Sequence, residues 1–470
     1  MGMKSYRFVP IAPLLFAMGL PLASGAERPA ALAGFAEVEI TPPVGIDLGG
    51  RGCSNEASTG VIDPLFAQAA ILKDARGRVL VFVSLDLIGL SRSYGDALRA
   101  EIAKKLRTPA ENVILNCSHT HSGPMMYRDI IAACGPPKDI ERKYMEELAS
   151  KVVNLCGAAA DRLGPVVVRV FQGKSDIGID RRGRNERGEP AMVPNPAGPR
   201  DSTIWILRLD SPGGEPRGVL FSYACHPVTV YGCARRGISA DYPGAARREL
   251  RAALGRGVHV QFFQGAAGNI RPRVAADLTA LKFRPGTLAD KDTVGRQLAT
   301  GVLDAFKSEG RTLSLEIAAA MTRIDLARDT PPARSVYERI AASGRDHQAA
   351  AARYWLEQYD KGGPTQKTVS WTLGVIRLAP DQWICYFSGE PVVQWVSYAR
   401  QWFGDRPVVV FGYTQEAFGY LPVDEILKDG GYEVVASNLY RVGNPAPFAP
   451  GLNEAVKKGV LALVAAIEKK

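Results

Sequence analysis

Short, unbroken apolar runs, each followed by an amphipathic stretch, recur along the whole chain. Residues 79–87 (VLVFVSLDL) are too continuously apolar for a surface helix and too short to span a membrane. Such a run reads as a strand buried on both faces, here followed by a helix from Ser93 to residue 106. The same pattern predicts strands at 113–117, 166–171, 204–209, 219–224, 258–263, 313–324 and 408–411, and a hairpin at 371–378 and 383–387. It predicts helices at 139–163, 243–254, 290–307, 335–359, 393–403 and 453–469. Strands alternating with helices give an α/β class, with a mixed central β-sheet flanked by helices. Segments 181–199 and 362–366 read as loops, the first long enough for a binding loop or lid. No internal repeat is visible and no linker divides residues 27–470, which are therefore expected to form one domain.

The first 26 residues have a different character. Lys4 and Arg7 precede an apolar stretch over 8–22 that is broken by three prolines and ends at the small residues Ala23-Ser24-Gly25-Ala26. This is the form of a cleaved secretory signal, and the mature protein is expected to be exported, periplasmic or extracellular, with at most peripheral membrane contact. Cleavage lowers the formal charge from +10 to +8, since Lys4 and Arg7 are lost. A basic chain suits an acidic partner. Helix-turn-helix, zinc-finger and basic-aromatic patterns are lacking, so nucleic acid is not the expected one. With 470 residues, 46% hydrophobic, the chain can bury a large core, which excludes a disulfide miniprotein and wholesale disorder. Its seven cysteines leave at least one thiol unpaired. Cys117, Cys225 and Cys385 lie in apolar runs and read as core, with a Cys225–Cys233 bridge as an alternative.

The chemistry gathers where apolar runs end. The run at 113–117 leads into Ser118-His119-Thr120-His121-Ser122-Gly123-Pro124, the run at 219–225 into His226-Pro227, and the run at 383–387 into Ser388-Gly389-Glu390-Pro391. The run at 408–411 leads to Tyr413 and then Gly419-Tyr420. Ligand sites in α/β folds collect beyond the carboxyl ends of strands. The chain has only five histidines, and three fall in these segments, while His259 and His347 read as structural. In extended backbone His119 and His121 project to one side. Either both bind a metal, or one binds and the other faces substrate. Imidazole with carboxylate suits zinc, Zn2+, in a site that keeps a position open for water.

These segments resemble the neutral/alkaline ceramidase family, secreted zinc amidohydrolases. Residues 116–124 are similar to its Thr-His-Thr-His-Ser-Gly-Pro segment, Ala224-Cys225-His226-Pro227 to its His-Pro motif, and Ser388-Gly389-Glu390-Pro391 to its Pro-Gly-Glu segment. Gly419-Tyr420, Tyr432-Glu433 and Ala436-Ser437 resemble its tyrosine-rich segment, and residues 36–42 its opening. The likeness runs from about residue 34 to the end and corresponds to the family's N-terminal catalytic domain, without its β-rich C-terminal domain. It implies that His119, His226, Glu390 and Tyr420 are the zinc ligands and that His121 faces the reacting group. It places Arg181 against substrate or its oxyanion, with Arg182 and Arg184 as near alternatives, and Tyr432 as a hydrogen-bond donor lining the site. Asp241 also lies in a family-like segment and reads as an N-cap.

One position departs. Where the family has Gly-Asp-Val-Ser-Pro-Asn, this chain has Gly268-Asn269-Ile270-Arg271-Pro272-Arg273. A guanidinium is no substitute for a hydroxyl nucleophile. The expected activity is thus hydrolysis of an N-acyl amide, ceramide or a related lipid or small molecule, by a zinc-bound water. Asn269 and Arg271 are candidate substrate contacts, and Arg271 with Arg273 suit an acidic N-acyl compound. A metal-dependent esterase or lactonase, or an exported binding protein without activity, are the alternatives.

Overall fold

The computed structural model describes residues 1–2, 31–53, 55–344, 346–417 and 419–469. The signal segment lies, from residue 3 on, outside the described residues.

The main strands sort into three mixed sheets of one pattern. In the first, Ala31–Glu39 pairs antiparallel with Phe66–Asp74, which pairs antiparallel with Val79–Leu85, which runs parallel to Val113–Cys117. The second repeats this order with Val167–Lys174, Thr203–Asp210, Pro216–Tyr223 and His259–Gln264. The third repeats it with Ala318–Ala327, Thr368–Ala379, Gln382–Phe387 and Val408–Phe411. Parallel neighbours cannot be joined by a tight turn. Each pair is bridged by a helix: Arg92–Leu106, Asp241–Leu254 and Gln394–Phe403.

Apolar side chains from all three sheets meet in one core, among them Phe82, Ile114, Leu207, Phe263, Ile384 and Phe411. The rings of Phe263 and Phe411 stack at 5.0 Å across the second and third sheets. The outer face of the first sheet is covered by Arg92–Leu106 and Asp139–Ala160. Asp241–Leu254, Leu288–Ala305 and Leu452–Glu468 cover the other two. Strands enclosed on both faces explain the unbroken apolar runs, and each fully buried Leu or Phe contributes about 2 kcal/mol.

The α/β class with flanking helices is as expected, but the sheet is divided into three rather than gathered into one. Segment 181–199 is not a loop. It forms the hairpin Gly178–Arg184 and Pro190–Asn195, extended by Ile270–Pro272. Its Arg, Gly and Pro content hid a strand pair whose turn is closed by Asn185, which accepts from the backbone of Arg187 and Glu189. The expected helix 335–359 is two, Arg334–Ser343 and Asp346–Asp360. The expected strand 313–324 is Arg311–Leu313 and Ala318–Ala327, in different sheets. Cys225 and Cys233 are free, and the disulfide joins Cys53 to Cys134.

Candidate metal centre

The carboxyl ends of the three parallel pairs are tied together by buried amides. Asn116 donates to the carbonyl of Gly412 at 2.8 Å and to Thr414 Oγ1 at 3.0 Å, and its Oδ1 accepts from Gln264 N at 2.8 Å. Gln264 in turn donates to the carbonyls of Ser118 at 3.0 Å and Cys225 at 2.8 Å. First, second and third sheets are thus laced at one end, and the candidate residues sit on the loops just beyond.

His119 follows Val113–Cys117 with a left-handed backbone, φ +66°. That conformation is costly for a residue with a Cβ and is found where a side chain must be aimed. Its Nδ1 donates to the carbonyl of Ile88 at 2.6 Å, and His226 Nδ1 donates to the carbonyl of Ala267 at 2.7 Å. With the protons so placed, both Nε2 lone pairs face inward. Glu390 Oε2 stands 3.2 Å from His119 Nε2 and 3.3 Å from His226 Nε2. His121 Nε2 lies 3.3 Å from His119 Nε2. The three imidazoles offer nitrogen atoms within 4.8 Å of one another. His119, His226 and Glu390 are buried, and His121 alone of this group keeps partial access to solvent. Room for its ring comes from Gly50, where a Cβ would stand 2.6 Å from His121 Nδ1.

Electrostatics favour the same protonation states. Burial, reinforced by the charge of Arg181, pulls the His226 pKa down to about 4. Burial and the neighbouring imidazoles hold His121 well below its usual range. Burial opposes a charged Glu390, yet His119 and His226 outweigh it and keep the carboxyl well below its ordinary value. Neutral imidazoles at His121 and His226 and an ionised carboxylate, aimed with His119 Nε2 at one point, form a donor set that suits a divalent ion such as zinc.

Tyr420 enters through a two-residue parallel bridge in which Glu390 pairs with Tyr420. Its hydroxyl accepts from Arg181 Nη2 at 3.0 Å. Arg181 is buried and also donates from Nε to Glu433 at 2.8 Å, while Arg182 takes the other oxygen of Glu433 at 2.7 Å. Arg181 therefore grips Tyr420, and Arg184 lies outside this group on the surface. Tyr432 packs its ring against Tyr420, with centroids 5.6 Å apart.

Asn269 is placed differently from expectation. It is fully buried, its Oδ1 accepts from Val393 N at 2.8 Å, and its amide donates to Asp180 and Gln394. With its polar atoms so engaged it braces the loop after Glu390. Asp241 is the first residue of its helix, and its carboxylate accepts from Thr229 Oγ1 and Val230 N, capping a neighbouring short helix. Two residues at the site stand in the sequence motifs but had no role assigned from the sequence. Glu433 holds Arg181 and Arg182 from 252 and 251 positions away. Tyr413 lays its ring 4.2 Å from that of His119 with a backbone φ of +51°. The Gly412-Tyr413 step after the last strand was the one available signal for it.

The overall fold is similar to solved structures. Neutral ceramidase from Pseudomonas aeruginosa matches with a TM-score of 0.72 at 16% identity, over 94% of this chain and 75% of that one. A ceramidase complexed with C2 matches at 0.71 and 16% identity, over 94% and 76%. The family model for the N-terminal part of neutral/alkaline non-lysosomal ceramidases matches residues 32–281, more than half of the chain. With the family's motifs brought to one point by that shared fold, the chain belongs to the neutral/alkaline non-lysosomal ceramidase family.

Proposed function

We propose that the chain is an exported, zinc-dependent amidohydrolase that cleaves the amide of an N-acyl lipid, ceramide or a related compound. The observation that carries this reading is the inward convergence of His119 Nε2, His226 Nε2 and Glu390 Oε2, with both Nδ1 protons committed to backbone carbonyls. His119, His226, Glu390 and Tyr420 would hold the ion. When bound, it supplies Lewis acidity and lowers the pKa of coordinated water toward about 7. In the overall reaction the oxygen of water bonds to the acyl carbon and the C–N bond breaks. One proton goes to the departing nitrogen, leaving a carboxylic acid and an amine. His121, at the solvent-facing side of the cluster, is placed to pass that proton. Arg181 fixes the Tyr420 hydroxyl, and the ring of Tyr432 packs against that of Tyr420. The Cys53–Cys134 disulfide supports an oxidising compartment and therefore export. No helix of the described residues is long and apolar enough to cross a membrane.

The test is metal analysis with a substrate panel of ceramides, N-acyl amino acids and esters. Wild-type protein is expected to hold one zinc per chain and to hydrolyse amides. His119→Ala is expected to lose the metal and at least about 1,000-fold in rate. Zinc content and turnover that both survive in His119→Ala refute the ligand set.

A further inference from the structure

Arg271 is a cation without a counter-charge beside the centre. It follows the residue whose carbonyl accepts from the backbone N–H of His226 at 3.0 Å. Its half-buried guanidinium lies 4.5 Å above the ring of Phe283 and reaches Sδ of Met192 at 3.8 Å. Neither neutralises it, and among the described residues it makes no ion pair. Arg128, Arg181 and Arg247, all buried, each hold a carboxylate. Charges taken out of water ordinarily are paired in this way.

Its surroundings lead to the histidine cluster. Tyr231 and Tyr420 lie within electrostatic reach of Arg271. The Tyr231 ring is 5.8 Å from that of His121, the solvent-facing member of the cluster. Arg51 and Arg235 lie over the same Tyr231 ring at 5.0 and 5.5 Å, and both bond to Glu56. Arg51 and Arg235 thus share one carboxylate, and Arg271 has none among the described residues. Burial, with repulsion from Arg181, pulls the Arg271 pKa down to about 10, so it stays charged at neutral pH.

We propose that Arg271 is a specificity-determining residue that receives an oxyanion carried by the substrate on the amine side of its amide. In an N-acyl lipid the acyl half ends in hydrocarbon, so an anion a few bonds from the scissile carbonyl belongs to the amine half. The substrate class is then an N-acylated amino acid or an N-acyl amino-alcohol phosphate rather than an uncharged amide. This rests on the amidohydrolase reading above. A guanidinium takes either oxyanion through paired N–H donors.

The experiment compares N-dodecanoylglycine, N-dodecanoylethanolamine phosphate and uncharged N-dodecanoylethanolamine on the zinc-loaded protein. Wild type is expected to favour one or both anionic compounds by about 10- to 100-fold in kcat/KM, expressed through KM. Arg271→Met should bring that ratio toward one, and Arg271→Lys should restore part of it. The preferred anion separates carboxylate from phosphate. Calorimetric binding of the non-cleavable ether isosteres reads the same preference without turnover. If every compound is hydrolysed with no anionic preference, or Arg271→Met leaves the ratio intact, the assignment is overturned while the amidohydrolase reading stands. If nothing is hydrolysed but the anionic isosteres bind in an Arg271-dependent way, the anion site stands and the amidohydrolase reading fails. A loss of thermal stability in Arg271→Met with the ratio unchanged identifies a structural arginine and also overturns it.

Discussion

At the scale of single residues, the centre depends on atoms that do not touch it. Gly50 has φ +76°, and the absence of its Cβ is what lets the His121 ring stand where it does. Arg51 donates to the carbonyl of His121 at 2.8 Å, so the same loop supplies space for the ring and holds its backbone. Gly50→Ala is expected to displace the imidazole while leaving His119, His226 and Glu390 in place. Zinc content should remain near one per chain, and kcat should fall about 100-fold, because a shift of about 1 Å in a positioned group costs that much. Metal analysis alongside steady-state kinetics checks this, and a parallel loss of metal would show that His121 is itself required for binding. The histidines were legible in the sequence because they are few and stand beside Gly and Pro at the ends of apolar runs. Glu433 was not, because its meaning lies in a contact 252 residues away.

At the scale of elements, the stitching beneath the site matters more than any one strand. Gln264 ends the strand His259–Gln264 and is completely buried. Its amide satisfies the carbonyls of Ser118 and Cys225, and its Oε1 accepts from Cys225 N at 3.3 Å. Gln264→Leu would strand these backbone groups away from water. The expected cost is about 3 kcal/mol, since each buried unsatisfied group costs about 1–3 kcal/mol. Denaturant titration should show a lower midpoint, and zinc affinity should fall with it because the tips bearing His119 and His226 lose their common tie. Strands with unbroken apolar runs, such as Val79–Leu85 and Val408–Phe411, could be read directly. Phe66–Asp74 could not. Its Ala-rich sequence carries no period-two signal, and it is a strand because neighbours on both sides, Ala31–Glu39 and Val79–Leu85, supply its ladder.

At the scale of the whole molecule, packing between sheets sets the response to acid. His259 is buried against Phe35, with Gln261 as its hydrogen-bond partner and Glu37, Arg247 and Arg251 as its charged neighbours. Burial is the main cause that pulls its pKa from 6.5 down to about 4. As pH falls below 6.5 the unfolded chain takes up a proton that the folded chain refuses. The neutral histidine's contribution is therefore complete above pH 6.5 and is lost as pH falls toward 4, by up to about 3 kcal/mol. His259→Gln should flatten this part of the stability profile. Equilibrium unfolding at pH 7 and at pH 4.5 measures it, and an equal pH dependence in both proteins would remove His259 as the cause.

The sequence by itself determined the local grammar of this protein: which runs become strands, where helices start, and which strand ends carry imidazole or carboxylate. Those properties follow from side-chain periodicity and turn chemistry within a few residues. Tertiary structure alone decided that three sheets of one pattern share a core, that Cys53 rather than Cys225 forms the disulfide, and that Arg181 closes on Glu433. Each of these joins positions far apart in the chain. Such pairings are chosen by which faces can be buried together once distant segments have met, a condition no short stretch of sequence contains.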